Sequence, residues 1–393
     1  MGMNMRQLMD FAILNDASDI HISVGRPPSF RISGSMKATK PPALTPADTM
    51  ALVKEIAPEK NLKELQEVGS TDFGFHHSDK ARFRVAAFKA KGSMGIVLRQ
   101  IPNRLLTFEQ IGLPESVKAM LERPRGLCLV TGPTGSGKTT TLATMIDFIN
   151  QNFDHHIITI EDPIEYYHPH KKSVVTQREV HNDVPGFLEG LRRALRQDPD
   201  VILVGEMRDP ETIGAAISAA ETGHLVFGTL HTTGATRTMD RIIDSFPTNQ
   251  QAQVRSQLAV SLIGVISQAL CPKVGGGRVA AFEILYGTSA VENLIREGKT
   301  YQLSSVIQTS KNEGMILLDD YLWEIWGQQK ITRQEMFRKS QDIKYLKEKV
   351  RENRSKGLRG WDDNVDYGDG MGGDPNVVKG STQKVGTSTV RKR

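Results

Sequence analysis

One stretch about a third of the way along the chain limits what it can fold into, because an apolar run, a glycine-rich loop and a helix-like segment follow one another without a gap. The run "GLCLVTG" starts at Gly126, the loop "GPTGSGKT" spans 132–139, and "TTLATMIDFIN" follows. The loop matches a phosphate-binding loop at every required position and lies in the strand-to-helix context that this loop needs. Its glycines let backbone N–H groups turn inward around phosphate oxygens, and the helix start adds roughly half a positive charge.

Residue types within the loop indicate individual roles. The Lys138 ammonium is expected to meet the β- and γ-phosphates, and the Thr139 hydroxyl is expected to ligate magnesium. ATP and Mg²⁺ are therefore the predicted ligands. The predicted nucleotide-binding residues are Gly132, Pro133, Thr134, Gly135, Ser136, Gly137, Lys138, Thr139 and Thr140.

From about residue 125 the pattern of strand, loop and helix repeats. "HHIITIED", "DVILVGE" and "HLVFGTL" are short β-rich runs, each followed by a turn or a polar segment. Near-continuous apolar strands are typical of a parallel sheet with helices on both faces, so the fold class predicted is α/β. The segment 236–350 reads as mainly helical. Within it, "LAVSLIGVISQAL" from Leu258 reads as a buried helix, since it falls short of the roughly 20 residues of a membrane span.

Acidic residues end two of these runs. "DPDVILVGE" ends on Glu206, "IITIED" ends on Glu161 and Asp162, and Glu165 follows a proline turn. Phosphoryl transfer to water needs one carboxylate near the metal and another that orients the attacking water. The two strand ends therefore favour hydrolysis over simple nucleotide binding, with Mg²⁺ held through Thr139 and Glu206.

Two histidines flank the apolar run "GHLVFGTLHTTGA". On a strand, His224 and His231 would be roughly 23 Å apart and on opposite faces, and on a helix about 10 Å apart. Zinc–ligand bonds are only about 2 Å long, so a shared metal ion is excluded. His231, at the carboxyl end of its strand, is predicted to sense the γ-phosphate. Spacing alone favours a structural or interface role for His224.

The chain divides into four predicted parts. Residues 1–105 read as a small α/β domain, 106–120 as a linker with a helix, 121–350 as the nucleotide-binding domain, and 351–393 as a disordered, glycine-rich polar tail. The net charge of +5 is small for this length and argues against nucleic acid as a partner. The two cysteines are too few for a zinc module or a disulfide framework. The apolar pattern shows no export or membrane-spanning segment, which favours the cytoplasm.

The four segments, in their order and spacing, resemble the type II/IV secretion ATPase superfamily of ring-forming motors. "GPTGSGKT" is similar to its Walker A box, "TIEDPIEY" to its Asp box, "DPDVILVGEMRD" to its Walker B box, and "GHLVFGTLHTTGA" to its His box. The resemblance extends to the first domain through "ASDIHISVGRPPSFRISG" and is strongest to the PilT-type ATPases of type IV pilus retraction and twitching motility. It implies a homo-hexamer with an amino-terminal PAS-like domain, a RecA-like P-loop ATPase domain and a helical carboxyl-terminal part.

The resemblance also implies roles for individual residues. Glu165 would be the water-activating base, Glu206 the Walker B carboxylate, and both His224 and His231 His-box residues. Arginines of the first domain would reach a nucleotide at a subunit boundary, where such groups stabilise transition-state charge. The candidates are Arg82, Arg84 and Arg99.

The retraction branch is favoured because the chain lacks the cysteines of a zinc module and starts directly at the PAS-like part. That branch implies a cytoplasmic ring, peripheral at the inner membrane, that acts on a pilus platform protein. However, "AVENLIRE" stands where this branch carries "AIRNLIRE", so Glu292 replaces an arginine. This charge reversal leaves an accessory nucleotide-binding ring subunit open as an alternative. A pilus or secretion assembly ATPase and, less favoured, a DNA translocase are further alternatives that do not depend on this residue.

Overall fold

The structure is a computed structural model that describes residues 4–32, 35–38, 42–77, 81–101 and 105–355. Residues 356–393, most of the predicted tail, lie outside this range. The last helix runs to Ser355 and so extends into the segment predicted as tail. Within the described ranges, no helix has the length and apolar character needed to cross a membrane.

The first domain is a sheet with helices on one face. Its described residues form a six-stranded sheet in the order β3-β2-β1-β6-β5-β4, with every pairing antiparallel. The elements are α1 (Met5–Leu14), β1 (Ala17–Ile22), β2 (Ser29–Ile32), β3 (Ser35–Ala38), α2 (Pro46–Ile56), α3 (Glu59–Glu67), β4 (Ser70–His77), β5 (Ala81–Ala90) and β6 (Ser93–Ile101).

Alternation along β5 decides which side chains face the rest of the molecule. Phe83 and Val85 are completely buried in the first domain's core. Because neighbouring side chains on a strand point to opposite faces, Arg82 and Arg84 share the other face. This face is the one turned toward the second domain, as the contacts of Arg82 with Ile164 and Glu179 show.

The second domain contains a seven-stranded sheet in the order β13-β12-β7-β11-β10-β8-β9. All neighbours pair in parallel except β12 and β13, which form an antiparallel hairpin. The strands are β7 (Gly126–Thr131), β8 (His156–Glu161), β9 (Val174–Glu179), β10 (Val201–Val204), β11 (Leu225–Leu230), β12 (Leu262–Pro272) and β13 (Arg278–Tyr286).

Helices cover both faces of this sheet and form the carboxyl-terminal part. They are α4 (Phe108–Ile111), α5 (Lys118–Leu121), α6 (Lys138–Asn152), α7 (Phe187–Ala194), α8 (Pro210–Glu221), α9 (Ala235–Asp244), α10 (Thr248–Ser261), α11 (Ser289–Arg296), α12 (Leu303–Thr309), α13 (Leu318–Gly327), α14 (Arg333–Lys339) and α15 (Ile343–Ser355), with short 3₁₀ turns at Glu115–Val117, Thr300–Gln302 and Lys311–Glu313. The predicted α/β class, parallel sheet and helical end are confirmed.

The interpretation of 258–270 as one buried helix is wrong. The helix α10 ends at Ser261, and β12 begins at the next residue. Consecutive residues of β12 are buried, so both of its faces are covered and its apolar run shows no alternation that would distinguish a strand from a buried helix. The glycine turn 275–277, all at positive φ, closes the hairpin with β13. The hairpin of β12 and β13 therefore interrupts the segment 236–350, which is helical on either side of it.

The predicted linker 106–120 packs tightly against the second domain. Val117, Met120 and Leu121 are buried in the same cluster as Leu142 and Ile146 of α6. The Thr144 hydroxyl also donates to the Leu106 carbonyl oxygen at 2.9 Å. Residues 106–121 are therefore expected to move together with the second domain. The domain boundaries themselves stay predictions.

Truncation of one of these side chains tests this packing. We expect Leu121→Ala to lower the free energy of unfolding by about 2 to 5 kcal/mol, since it leaves a cavity in the core. The control is Glu122→Ala at the next, exposed position, for which a change within about 0.5 kcal/mol is expected. Urea denaturation followed by circular dichroism measures both, and equal effects of the two variants would show a loosely attached linker.

Candidate active site

The phosphate loop lies between β7 and α6, at the carboxyl end of β7. Gly132, Gly135 and Gly137 all have positive φ. At Gly132 a Cβ atom would lie 2.4 Å from the Gln268 carbonyl oxygen and 2.6 Å from the Ser136 hydroxyl oxygen, so only glycine fits. The Gln268 side-chain amide donates to the Ser136 carbonyl oxygen at 2.6 Å. The strand β12 thus holds the loop from one side.

The loop presents unused polar groups and a cation. Within the described ranges, the buried Ser136 hydroxyl has no hydrogen-bond partner. The Lys138 ammonium donates to the Gly132 carbonyl oxygen at 2.7 Å. Burial lowers the pKa of Lys138, and the charges of Glu206 and Glu165 oppose this shift. The loop is therefore shaped to receive anionic oxygens, and both carboxylates lie close enough to act on its lysine.

A cavity of about 1160 Å³ joins the loop to both domains. Its volume lies slightly above that of ordinary ligand pockets, which hold about 300 to 1,000 Å³. Residues predicted for the site that line it are Thr134, Gly135, Ser136, Gly137, Lys138, Thr139, Thr140, Glu161, Asp162, Glu165, Glu206, His231, Arg84 and Arg99. Gly132, Pro133, His224 and Arg82 are not among its lining residues.

Glu206 follows β10 and is held by two basic side chains. Arg208 donates to both of its carboxylate oxygens, at 2.5 and 2.6 Å. His231, just after β11, lies 2.9 Å from Glu206 Oε1 through its Nε2. Burial alone would raise the pKa of Glu206, but these hydrogen bonds and the charge of Arg208 outweigh it and lower the pKa. Glu206 is thus an ionised carboxylate connected to the predicted sensor.

Glu161 behaves differently from its neighbours on the Asp box. Burial raises the pKa of Glu161 to about 7, although Thr159 and Gln177 donate hydrogen bonds to its carboxylate at 2.6 and 3.1 Å. The Glu165 backbone also donates to it. By contrast, Asp162 is exposed. All three acidic residues border the cavity, and Glu161 in addition supports the backbone that carries Glu165.

The two histidines lie at opposite ends of β11. His231 lies at the carboxyl end, on the cavity. His224 lies at the amino end, where its Nδ1 is 2.9 Å from the Ala219 carbonyl oxygen at the end of α8. The arrangement brings His231 to the phosphate loop and leaves His224 on the other edge of the sheet.

The three arginine candidates separate into two groups. Arg84 and Arg99 line the cavity of their own chain. Arg99 Nε donates to Asp19 Oδ1 at 2.9 Å, and Arg31 lies 3.7 Å from the other oxygen. Burial would raise the pKa of Asp19, but hydrogen bonds from Arg99 and Ser18 lower it. Arg82 instead pairs with Glu179 away from the cavity. Supply of an arginine by a neighbouring subunit stays a prediction.

Three residues that contact the predicted site residues were not predicted from the sequence. Arg208 stands inside the Walker B segment "GEMRD", two positions after Glu206. This short spacing could have indicated that Arg208 contacts the Glu206 carboxylate. Tyr166, whose hydroxyl lies 3.0 Å from the Thr140 hydroxyl, and Gln268 on β12 gave no local signal, because only the fold brings them to the loop.

Comparison with known proteins agrees with this geometry. Residues 3–353 match the family model described as Type II/IV secretion system protein. The type IV pilus retraction ATPase PilT of Pseudomonas aeruginosa is 53% identical over 317 residues, which cover 81% of this chain and 92% of that protein. The chain belongs to the PilT-type members of this family.

Other PilT-type proteins extend the agreement. A twitching motility protein of Neisseria gonorrhoeae is 48% identical, with 80% of this chain and 84% of that protein covered. The crystal structure of the pilus retraction motor PilT with bound ADP superposes with a TM-score of 0.84 at 49% identity, over 88% of this chain and 99% of that one. The ATPase DotB of Legionella pneumophila gives a TM-score of 0.74 at 28% identity, over 85% and 95%.

The raised pKa of Glu161 predicts a pH-dependent stability difference. Because the folded protein binds this proton more tightly than the unfolded chain does, the contribution of Glu161 is fully present below about pH 4.5 and is lost as pH rises to about 7. We expect Glu161→Gln to match the wild type near pH 4.5 and to exceed it at pH 8 by up to about 3 kcal/mol.

Denaturant unfolding without nucleotide, at several pH values, measures this difference. Glu324→Gln on an exposed position of α13 is the control and should show a difference from the wild type that does not change with pH. A pH-independent gap for Glu161→Gln as well would contradict a protonated Glu161.

Proposed function

We propose that this chain is an ATP hydrolase of the PilT type that drives type IV pilus retraction as a hexameric ring. One observation carries the catalytic part: two carboxylates from the segments that follow β8 and β10, Glu165 and Glu206, border the same cavity as the phosphate loop and Lys138. A site that only bound nucleotide would need the loop and its lysine but not two separate acidic groups. The bound ADP of the similar PilT structure supports the choice of an adenine nucleotide.

The proposed roles follow from position. Glu165 is the base that orients and deprotonates the attacking water. The charge of Lys138 meets the phosphates, and backbone N–H groups of the loop surround them. His231 contacts Glu206 directly, so a change at the γ-phosphate can reach the Walker B carboxylate through one hydrogen bond.

The oxygen donors suit Mg²⁺. The Thr139 hydroxyl and the Glu206 carboxylate line the same cavity, and Mg²⁺ prefers hard oxygen ligands from a few protein groups together with phosphates. When bound there, the ion would neutralise charge on the phosphate oxygens. The remaining chemistry stays with the chain's own residues.

Arg84 and Arg99 make the first domain part of the site. Both line the cavity that the loop also lines, and both stand on strands of the first domain. Nucleotide that contacts both domains binds the closed arrangement more tightly than an open one, and this difference in affinity drives closure. Hydrolysis and phosphate release then weaken the contact, which converts turnover into movement of one domain against the other.

The finer parts of the proposal rest on the relatives. They are named as a pilus retraction ATPase, a pilus retraction motor and a twitching motility protein. We propose accordingly that the ring works at the cytoplasmic side of the pilus base, on an inner-membrane platform protein, and returns pilin subunits to the membrane.

An accessory role is the second candidate. Glu292 lies in the first turn of α11, half-buried, where the retraction branch carries an arginine. An accessory subunit would bind ATP and support another ring.

Site variants test the catalytic proposal. We expect Glu165→Gln to lower kcat by about 10² to 10⁴ while ATP still binds, because a general base is lost. Lys138→Ala should abolish both binding and turnover. Phosphate release and fluorescent-nucleotide binding by the purified protein measure these effects, and Glu324→Gln should leave both unchanged. Wild-type protein that binds ATP as a hexamer without turnover would favour the accessory role.

A deletion strain tests the direction of the motor. We expect cells without the gene to carry surface pili and to lose twitching, with rescue by the wild type and not by Glu165→Gln. Electron microscopy and a subsurface motility assay measure the two outcomes. Loss of surface pili would instead show an assembly ATPase, and Glu292→Arg that changes the phenotype would identify this residue as the source of any accessory behaviour.

A further inference from the structure

Arg82 and Arg84 share one face of β5, yet their environments differ sharply. Arg84 is exposed and borders the nucleotide cavity, whereas Arg82 is only 5% exposed and does not line it. An arginine that is buried away from the phosphates needs another explanation than contact with nucleotide.

The guanidinium of Arg82 reaches across the domain boundary to the segment that carries Glu165. Its Nη1 donates to the Ile164 carbonyl oxygen at 2.7 Å, and its Nη2 donates to Glu179 Oε2 at 3.1 Å. The same Glu179 oxygen accepts from the Ile164 N–H at 3.1 Å. The ion pair therefore binds both the N–H and the C=O of the residue that directly precedes Glu165.

Both domains are shaped around this arrangement, which we name the Arg82–Glu179 clamp. The Arg82 guanidinium lies over the Tyr167 ring, 4.3 Å from its centroid. On the neighbouring strand, a Cβ atom at Gly74 would lie 2.7 Å from Arg82 Nη2, so glycine leaves room for the side chain. The other Glu179 oxygen accepts a hydrogen bond from the Asn182 side chain.

We propose that Arg82 is a positioning residue for Glu165: from the first domain, it fixes the peptide group next to the base, so that the base is aligned only while the two domains hold this orientation. The inference rests on the proposed role of Glu165 in hydrolysis. It also replaces the prediction that Arg82 contacts nucleotide. A shift of the first domain carries Arg82 away from Ile164 and leaves a buried carboxylate without its partner, which is strongly unfavourable.

The clamp and the cavity arginine act together because they stand on one strand. Residues two apart on a strand are separated by roughly 6.6 Å, so Arg82 and Arg84 move as a unit with the first domain. Closure of the domains then brings a cation to the cavity and aligns the base in the same movement. Turnover without domain closure is suppressed.

Steady-state kinetics separates positioning from nucleotide contact. We expect Arg82→Met to lower kcat roughly 10- to 100-fold with KM within about 3-fold of the wild type, since small misplacements of a catalytic group cost this much. Arg82→Lys should recover only part of kcat, because one ammonium cannot reproduce the planar fork. The matched control is Lys89→Met on the same strand, whose ammonium donates to the Gln66 carbonyl oxygen within the first domain.

A double variant tests whether Arg82 acts through Glu179. We expect Glu179→Gln to lower kcat as well, and Arg82→Met with Glu179→Gln to be no slower than the slower single variant, since both belong to one unit. A raised KM with normal kcat in Arg82→Met would show a nucleotide contact instead. Unchanged kcat and KM, or fully additive losses in the double variant, would overturn the proposal.

Hydrogen exchange gives a readout that does not need turnover. We expect peptides covering residues 162–167 to exchange faster in Arg82→Met, and not in Lys89→Met, while exchange in β7 and α6 stays unchanged. A wild type without ATPase activity would contradict the proposed function, and the exchange experiment would still decide whether the clamp exists. Equal exchange at 162–167 in both variants would overturn the clamp. If Arg82→Met fails to fold, Arg82→Lys and Glu179→Gln provide the same comparison.

Discussion

The close approach of Gly132 to the Gln268 carbonyl is the contact on which the rest of the structure depends. It requires a residue without a side chain at the start of the phosphate loop and a strand, β12, directly beside β7. With β12 in this place, β7 is paired on both sides, with β11 and with β12. The loop then has a fixed base, and the carboxyl ends of β11, β10 and β8 present His231, Glu206 and Glu161 along the same edge.

Electrostatic balance at this edge distinguishes the acidic residues from one another. Arg208 and His231 keep Glu206 ionised, whereas burial favours the protonated form of Glu161. Two carboxyl groups on neighbouring strands thus have different tasks, one as a charge beside the phosphates and the other as a structural hydrogen-bonding group. Environment, and not residue type, produces this difference.

Local signals predicted much of the fold and the site. The phosphate loop, the acidic strand ends and His231 could be found because each is a short segment whose residue types state its chemistry. The strand β12 could not, because an apolar run buried on both faces looks the same for a strand and a helix. Arg82 could not be told from Arg84, since both stand on the same face of β5 and only the position of the second domain decides what each one contacts. Gln268 and Tyr166 reach the loop through the tertiary fold alone.

The packing of residues 106–121 against the second domain sets a limit on mechanics. The Leu106 carbonyl oxygen is already bound by Thr144, while β6 of the first domain ends at Ile101. Five residue steps separate these two anchored points, and a chain of that length spans at most about 18 Å. This short connection keeps the two anchored points close together, so the domains can rotate about each other but cannot move far apart. A movement that produces force must therefore be a rotation of one domain about the short connection. The displacement of a surface in this rotation grows with its distance from the connection.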